Sequence, residues 1–245
     1  MAEMAILYDT TKCSACRACQ VACKQWNELP AVKTSKYGQH GYQNPPDLSV
    51  NTFVVIDFKA LGGNDRDAEG NWNFFRHSCM HCQNAACKEM CDSLYDKAHP
   101  KKFKAIQRSP QGFIWVDMSR CFGQAEKAGG CGGACAKACP FAVPRVGKAD
   151  ISGGGTSSKT VMRKCRACID RVEKGLVPSC VKTCGPEALS FGERGAMVAA
   201  AKARAADPAV KVKYRAANVY GAEAPEGGLH VIYVLSQPPQ FYGLP

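Results

Sequence analysis

The chain has 245 residues, 16 of them cysteine, and a formal charge of +11 from 32 Lys and Arg against 21 Asp and Glu. A chain of this length buries a core without disulfide staples, so metal or cluster ligation explains its cysteines better than a disulfide scaffold. No run of about five like charges marks a nucleic-acid arm, and no run approaches the roughly 18 consecutive apolar residues of a membrane helix.

The opening residues have neither a basic n-region nor an apolar stretch long enough for a signal peptide, so no export signal of the chain's own is expected. Cys13, Cys16, Cys19 and Cys23 follow, spaced x2, x2, x3. This is the bacterial ferredoxin run, in which three close cysteines wrap one cluster and the fourth leaves along a helix toward a neighbour. A structural zinc site would favour two separated C-x2-C pairs. Residues 39–46 and 62–70 read as loops, and residues 53–58 as a strand. The second group, Cys79, Cys82, Cys87 and Cys91, is spaced x2, x4, x3. Residues 104–108 and 113–117 flank Ser109-Pro-Gln-Gly112, whose proline and glycine suit a type I turn, so a hairpin is expected there.

The third group, Cys121, Cys131, Cys135 and Cys139, is spaced x9, x3, x3. A Gly- and Ser-rich loop at residues 152–158 precedes the fourth group, Cys165, Cys168, Cys180 and Cys184, spaced x2, x11, x3. Residues 194–206 are Ala-rich and end at Asp207-Pro208, which predicts a helix with a proline stop. Residues 230–235 predict a strand. No cysteine is left over from the four groups. Each group ends C-x3-C, which puts two sulfurs on one side of a helical turn, so each reads as a ligand loop running into a short helix.

Iron in a cubane wants soft thiolates, one per iron. A ligating thiol is deprotonated, so each thiolate-held [4Fe–4S] cluster carries a net charge of about −2, and three would bring +11 down to roughly +5. Much of the basic excess thus reads as counter-charge to cofactors. Arg17, Lys24, Arg145, Arg163, Lys164 and Arg166 lie beside or near ligands, where positive charge raises a cluster's potential; the alternative is an ordinary solvated face. His77 and His81 flank Cys79 and read as packing or hydrogen-bonding residues. Trp26 reads as core or subunit interface and Trp115 as core. His40, His99 and His230 belong to no constellation. There is no nucleophile–base pair, phosphate-binding glycine loop or open three-ligand metal site, so the chain is not expected to catalyse alone.

In order and spacing, the four groups resemble the four-ferredoxin-motif β subunits of the molybdenum/tungsten oxidoreductase superfamily. The segment Cys13-Ser-Ala-Cys-Arg-Ala-Cys-Gln-Val-Ala-Cys-Lys-Gln-Trp-Asn27 is most similar to the formate dehydrogenase β subunit. Cys79-Met-His-Cys82, Cys139-Pro-Phe-Ala-Val-Pro-Arg145, Cys165-Arg-Ala-Cys-Ile-Asp-Arg171 and Cys180-Val-Lys-Thr-Cys184 resemble the other three motifs. The closing Phe241-Tyr-Gly-Leu-Pro245 resembles the segment before the membrane helix of anchored relatives, and since the chain stops there no anchor is expected. The resemblance implies an α+β protein of two nested ferredoxin-like halves, residues 1–60 with 150–245 outside and residues 61–149 within. It implies that cluster A takes Cys13, Cys16, Cys19 and Cys184, and cluster B takes Cys165, Cys168, Cys180 and Cys23. Cluster C would take Cys79, Cys82, Cys87 and Cys139.

A fourth cluster would take Cys91, Cys121, Cys131 and Cys135, but here the pattern breaks. The triplet is stretched to x9, x3, and Cys91 is followed by Asp92 rather than proline. Three [4Fe–4S] clusters are therefore expected, with the fourth site empty, remodelled, disulfide-bonded or holding another metal. By resemblance, a large tungsten- or molybdenum-pterin subunit oxidises formate, and this chain carries the electrons to a soluble acceptor such as a c-type cytochrome. Export on the partner's twin-arginine signal would place the heterodimer in the periplasm, with the cytoplasm as the alternative. Two other readings stay open: the same wiring for a nitrate, sulfur-oxyanion or sulfoxide reductase, and a zinc-stabilised interaction protein.

Overall fold

A computed structural model describes residues 2–34, 42–61, 72–98, 104–121, 131–150 and 158–245. The loop expected at 62–70, most of that at 152–158, part of that at 39–46, and His40 and His99 lie outside them. The described chain mixes helices with small sheets, the α+β class expected. The central sheet has strand order β8-β1-β10-β9, formed by β1 (Met4–Asp9), β8 (Leu189–Glu193), β9 (Asn218–Tyr220) and β10 (Val231–Leu235). β1 runs parallel to β10, with Ile6 opposite Val231 and Tyr8 opposite Tyr233, and antiparallel to β8.

Side chains alternate across a strand, and the alternation divides two cores. Ala5, Leu7, Ile232 and Val234 face α6 (Arg194–Ala206) and pack on its Ala201 and Ala205. Ile6, Tyr8, Val231, Tyr233 and Leu235 face the opposite way, into a core that also contains cysteines of the first, second and fourth groups. α6 has the bounds expected. Asp207 does more than stop it: its carboxylate accepts the amide of Ala209 at 2.9 Å and caps a further helix, α7 (Pro208–Lys213).

The remaining sheets are antiparallel pairs. β2 (Val55–Ala60) pairs with β3 (Trp72–His77), β4 (Ile106–Arg108) with β5 (Ile114–Val116), and β6 (Arg145–Asp150) with β7 (Ser158–Arg163). The strand expected at 53–58 is displaced by two residues. The β4–β5 hairpin closes through the expected turn, the amide of Gly112 donating to the carbonyl of Ser109 at 2.9 Å. No helix among the described residues is long and apolar enough to cross a membrane.

Asp9 ends β1 and is buried, accepting from the Thr11 amide at 2.8 Å, the Thr11 hydroxyl at 2.6 Å and Arg204 Nε at 2.9 Å. Hydrogen bonds to a charged group contribute more than neutral ones, so Asp9→Ala is expected to cost about 2 kcal/mol. A lower urea midpoint at unchanged slope would register it; an unchanged midpoint would refute it.

Candidate metal centres

The cysteine groups share a local construction. In the first, Ala15 (φ 55°) and Arg17 (φ 61°) take left-handed backbone, and the amide of Ala15 donates to Cys13 Sγ at 3.4 Å. The fourth group repeats it: Ala167 (φ 52°) and Cys168 (φ 49°) are left-handed, and the amide of Ala167 donates to Cys165 Sγ at 3.4 Å. In the second, His81 (φ 51°) makes the turn. A left-handed residue other than glycine costs about 1–2 kcal/mol. At these positions it curls the chain around a point and turns amide hydrogens toward sulfur. The stretched third loop enters its helix on Gly132 (φ 59°) and Gly133 (φ 70°).

A helix follows each loop, as expected. α1 (Ala18–Trp26) carries Cys19 and Cys23, and α2 (Ala86–Ala98) carries Cys87 and Cys91. α3 (Ala134–Lys137) carries Cys135, with Cys139 just beyond it. α5 (Ser179–Lys182) carries Cys180, with Cys184 just beyond. A further short helix, α4 (Ile169–Val172), starts at Cys168.

The loops and helices gather the thiols into four sets. Cys13, Cys16, Cys19 and Cys184 line a cavity together with Tyr8, Ile56 and Leu189. Burial pushes the Cys19 thiol up to about 12, with Cys180, Cys13 and Cys184 adding to it and Arg76 opposing. Cys23 is driven up by burial and then by Cys165, Cys180 and Cys168 around it. Cys79, Cys82, Cys87 and Cys139 line a second cavity with Met80, Ile114, Phe141 and Lys164. Cys135 is raised by burial and then by Cys131, Cys91 and Cys121; Cys121 Sγ accepts the amide of Met162 at 3.4 Å. The two cavities are lined by the cysteines grouped above as A and C. All 16 cysteines are unbridged in this structure.

The sets also follow one another in space. Cys19 of A feels Cys180 of B, Cys165 of B feels Cys79 of C, and Cys135 of the fourth set feels Cys87 of C. The file therefore runs A, B, C, fourth, and Cys16 is exposed at its A end.

This donor set fits iron–sulfur cubanes. Each site offers four soft sulfurs, and an amide hydrogen meets a sulfur at A, B and the fourth set. A tetrahedral zinc ion at about 2.3 Å from each sulfur would draw its ligands to within about 4 Å of one another. Among the described residues no three His, Cys, Asp or Glu side chains converge enough to hold one ion.

Of the cations flagged beside ligands, several also engage other groups. Lys24 donates to the carbonyls of Pro30 and Asn51, Arg145 pairs with Asp47 at 2.7 Å, and Arg17 and Arg163 lie over the rings of Phe58 and Phe53. Lys164 is buried, donating to the carbonyls of Ile114 and Cys165. Burial alone would lower it, but Cys79, Cys87 and Cys165 outweigh that and hold its ammonium above the usual lysine range. Sequence reasoning missed Arg76 on β3, which is 1% exposed and whose Nη2 donates to Cys180 Sγ at 3.6 Å. Its partner lies far along the chain, and the only local signal was a charged residue inside an aromatic strand. His81 is buried and accepts the Ile114 amide on Nδ1 at 3.1 Å; burial and then Lys164 hold it neutral. Trp26 is partly exposed, donates to Asp170 at 2.9 Å and lies under Arg171.

Comparison with known proteins agrees with this chemistry. The 4Fe-4S dicluster domain family matches residues 70–194. The formate dehydrogenase 2 subunit beta (cytochrome c-553) of Nitratidesulfovibrio vulgaris is 35% identical over 97% of this chain and 95% of its own length. The iron-sulfur subunit of the nitrate-inducible formate dehydrogenase of Escherichia coli is 34% identical over 100% of this chain and 73% of its own. Formate dehydrogenase subunit beta of Megalodesulfovibrio gigas is 33% identical over 96% of this chain and 94% of its own. The chain belongs to the iron–sulfur β subunits of formate dehydrogenase.

Proposed function

We propose that this chain is the non-catalytic relay of a formate dehydrogenase. It takes electrons from a tungsten- or molybdenum-pterin catalytic subunit and passes them to an external acceptor such as a c-type cytochrome. The observation that carries this reading is the file of thiol sets, each presenting a cysteine to the next. The cytochrome named with the Nitratidesulfovibrio relative supports the choice of acceptor. When bound, [4Fe–4S] clusters supply one-electron carriers on Cys13, Cys16, Cys19 and Cys184, on Cys23, Cys165, Cys168 and Cys180, and on Cys79, Cys82, Cys87 and Cys139. The chain's own part is to hold those sulfurs, to turn the amides of Ala15 and Ala167 onto them, and to wall them from water with Tyr8, Ile56, Met80 and Phe141.

The matching Cys13–Ala15 and Cys165–Ala167 turns support two nested ferredoxin-like halves, with residues 61–149 as the insert. The stretched loop of Cys121, Cys131 and Cys135 supports three clusters. The convergence of those thiols with Cys91 favours a second reading, a fourth cluster on a rebuilt loop. We place the complex in the periplasm, exported with its partner; cell fractionation beside marker enzymes tests this.

Iron and acid-labile sulfide analysis of the anaerobically purified complex tests the assignment, with co-purification of a pterin subunit and formate-driven cytochrome reduction. At about four iron per cubane, this chain should contribute about 12 Fe. About 16 would establish the fourth site, and a colourless, iron-free chain would end the relay reading.

A further inference from the structure

Among the described residues, Arg76 and Lys164 are cations buried against cysteines of more than one set. Arg76 Nη1 donates to Ser78, Nη2 to Cys180 Sγ at 3.6 Å, and its Nε has no partner. Lys164 is 5% exposed, lines the cavity of Cys79, Cys82, Cys87 and Cys139, and donates to carbonyls on either side of it. None of the ion pairs among the described residues joins either cation to a carboxylate. A buried charge without a counter-charge is costly. The negative groups on hand are cysteines: Cys180, Cys165 and Cys19 around Arg76, and Cys79, Cys87 and Cys165 around Lys164. Protonated thiols do not neutralise a cation, whereas thiolates ligating iron do.

The placement is specific. Arg76 reaches Cys19 of A and Cys23, Cys165 and Cys180 of B, and Lys164 reaches Cys165 of B and Cys79, Cys87 and Cys139 of C. Each cation stands at a junction in the file, and B is flanked by both. Adding an electron to a cluster adds one negative charge, which a fixed neighbouring cation stabilises, so the potential rises.

We propose that Arg76 and Lys164 are shared counter-charges at the A–B and B–C junctions, positioning residues that hold up the reduction potentials of the clusters on either side, with B dependent on both. This rests on the proposed relay function.

The test is a potentiometric titration of the purified holo-complex, followed by electron paramagnetic resonance, for wild type, Arg76→Met, Arg76→Lys and Lys164→Met. In Arg76→Met the reduced-to-oxidised ratios of A and B at fixed potential should each fall about tenfold, about 59 mV for one electron, while C stays put. In Lys164→Met, B and C should fall and A stay put. Arg76→Lys should keep wild-type midpoints. Midpoints that do not move, or that all move together in both neutral variants, overturn the proposal. If Arg76→Met loses iron while Arg76→Lys keeps it with wild-type midpoints, a charge is required there and the proposal stands. Iron loss from Arg76→Lys too means packing, and overturns it. A wild-type complex without iron or labile sulfide in this chain refutes the relay function itself, a result separate from any of these.

Discussion

Cys165→Ala should strip about four iron from the chain and interrupt formate-driven reduction of the acceptor. Cys165 is buried, its Sγ is held by the Ala167 amide, and it faces Cys180 within its own set and Cys79 in the next. Its set lies inside the file, so its loss leaves A and C without their common neighbour. Outer-shell changes at metal sites already cost about 10–100-fold, and removing a ligand at an interior link should cost at least about 100-fold in electron delivery. Formate oxidation measured with an artificial dye that accepts electrons at the catalytic subunit should persist, which separates a cut wire from a dead catalyst. Cys131→Ala is the counterpart. With three clusters its iron content matches wild type; a loss of about four iron there would move the count to four. Undiminished cytochrome reduction by Cys165→Ala would remove that set from the path.

Gly112→Ala is expected to be the most damaging change away from the thiols. Gly112 has φ +94°, and a Cβ there would lie 2.0 Å from His230 Cε1 and 2.5 Å from Nε2. The imidazole cannot retreat. It is fully buried, with Nδ1 2.7 Å from the carbonyl of Met4 and Nε2 2.8 Å from Gln83 Oε1, and it packs edge-on to Phe113. Left-handed strain and overpacking together should cost about 3 kcal/mol, or about 6–12 °C in Tm for a chain of this size. Gly175→Ala is the control, since Gly175 has φ +72° but nothing within 4 Å of its Cβ position. It should cost only the backbone strain, about 1 kcal/mol. Equal losses for the two variants would show that the contact with His230 contributes nothing.

The site was more legible than the fold. Ligand loops and C-x3-C helices depend on near neighbours, and the spacing alone places Cys19 and Cys23, or Cys87 and Cys91, on one helix. The β4–β5 hairpin has its own turn, and α6 its own composition. What escaped depends on distant partners. β1 is buried on both faces, so Ala5–Asp9 shows no apolar–polar alternation to announce a strand. β3 carries Asn73, Arg76 and His77 because Asn73 accepts the Ser236 hydroxyl and Arg76 meets Cys180, and neither partner is visible locally. The antiparallel pairing of β6 with β7, with Arg145 opposite Arg163, had no local signal either. Sequence neighbourhood did place Arg17 on the cavity of the first set and Lys24 beside Cys23, but it did not show that one also lies over Phe58 and the other holds carbonyls.

The parallel pairing of β1 with β10, with β8 on the other side of β1, has a consequence for biosynthesis. Residues 4–9 leave the ribosome before both of their partners, and they can find sheet neighbours only after residues 189–193 and 231–235 have been made. Until then the cysteines at 13–23 wait beside an unpaired edge, without Cys165, Cys168, Cys180 or Cys184. Iron delivery to the outer sites is thereby tied to synthesis of residues 165–235, while the thiols between 79 and 139 are all present earlier. Maturation should proceed from the middle of the chain outward, and the nascent protein needs shelter from oxygen and from stray metals for as long as that edge stays open.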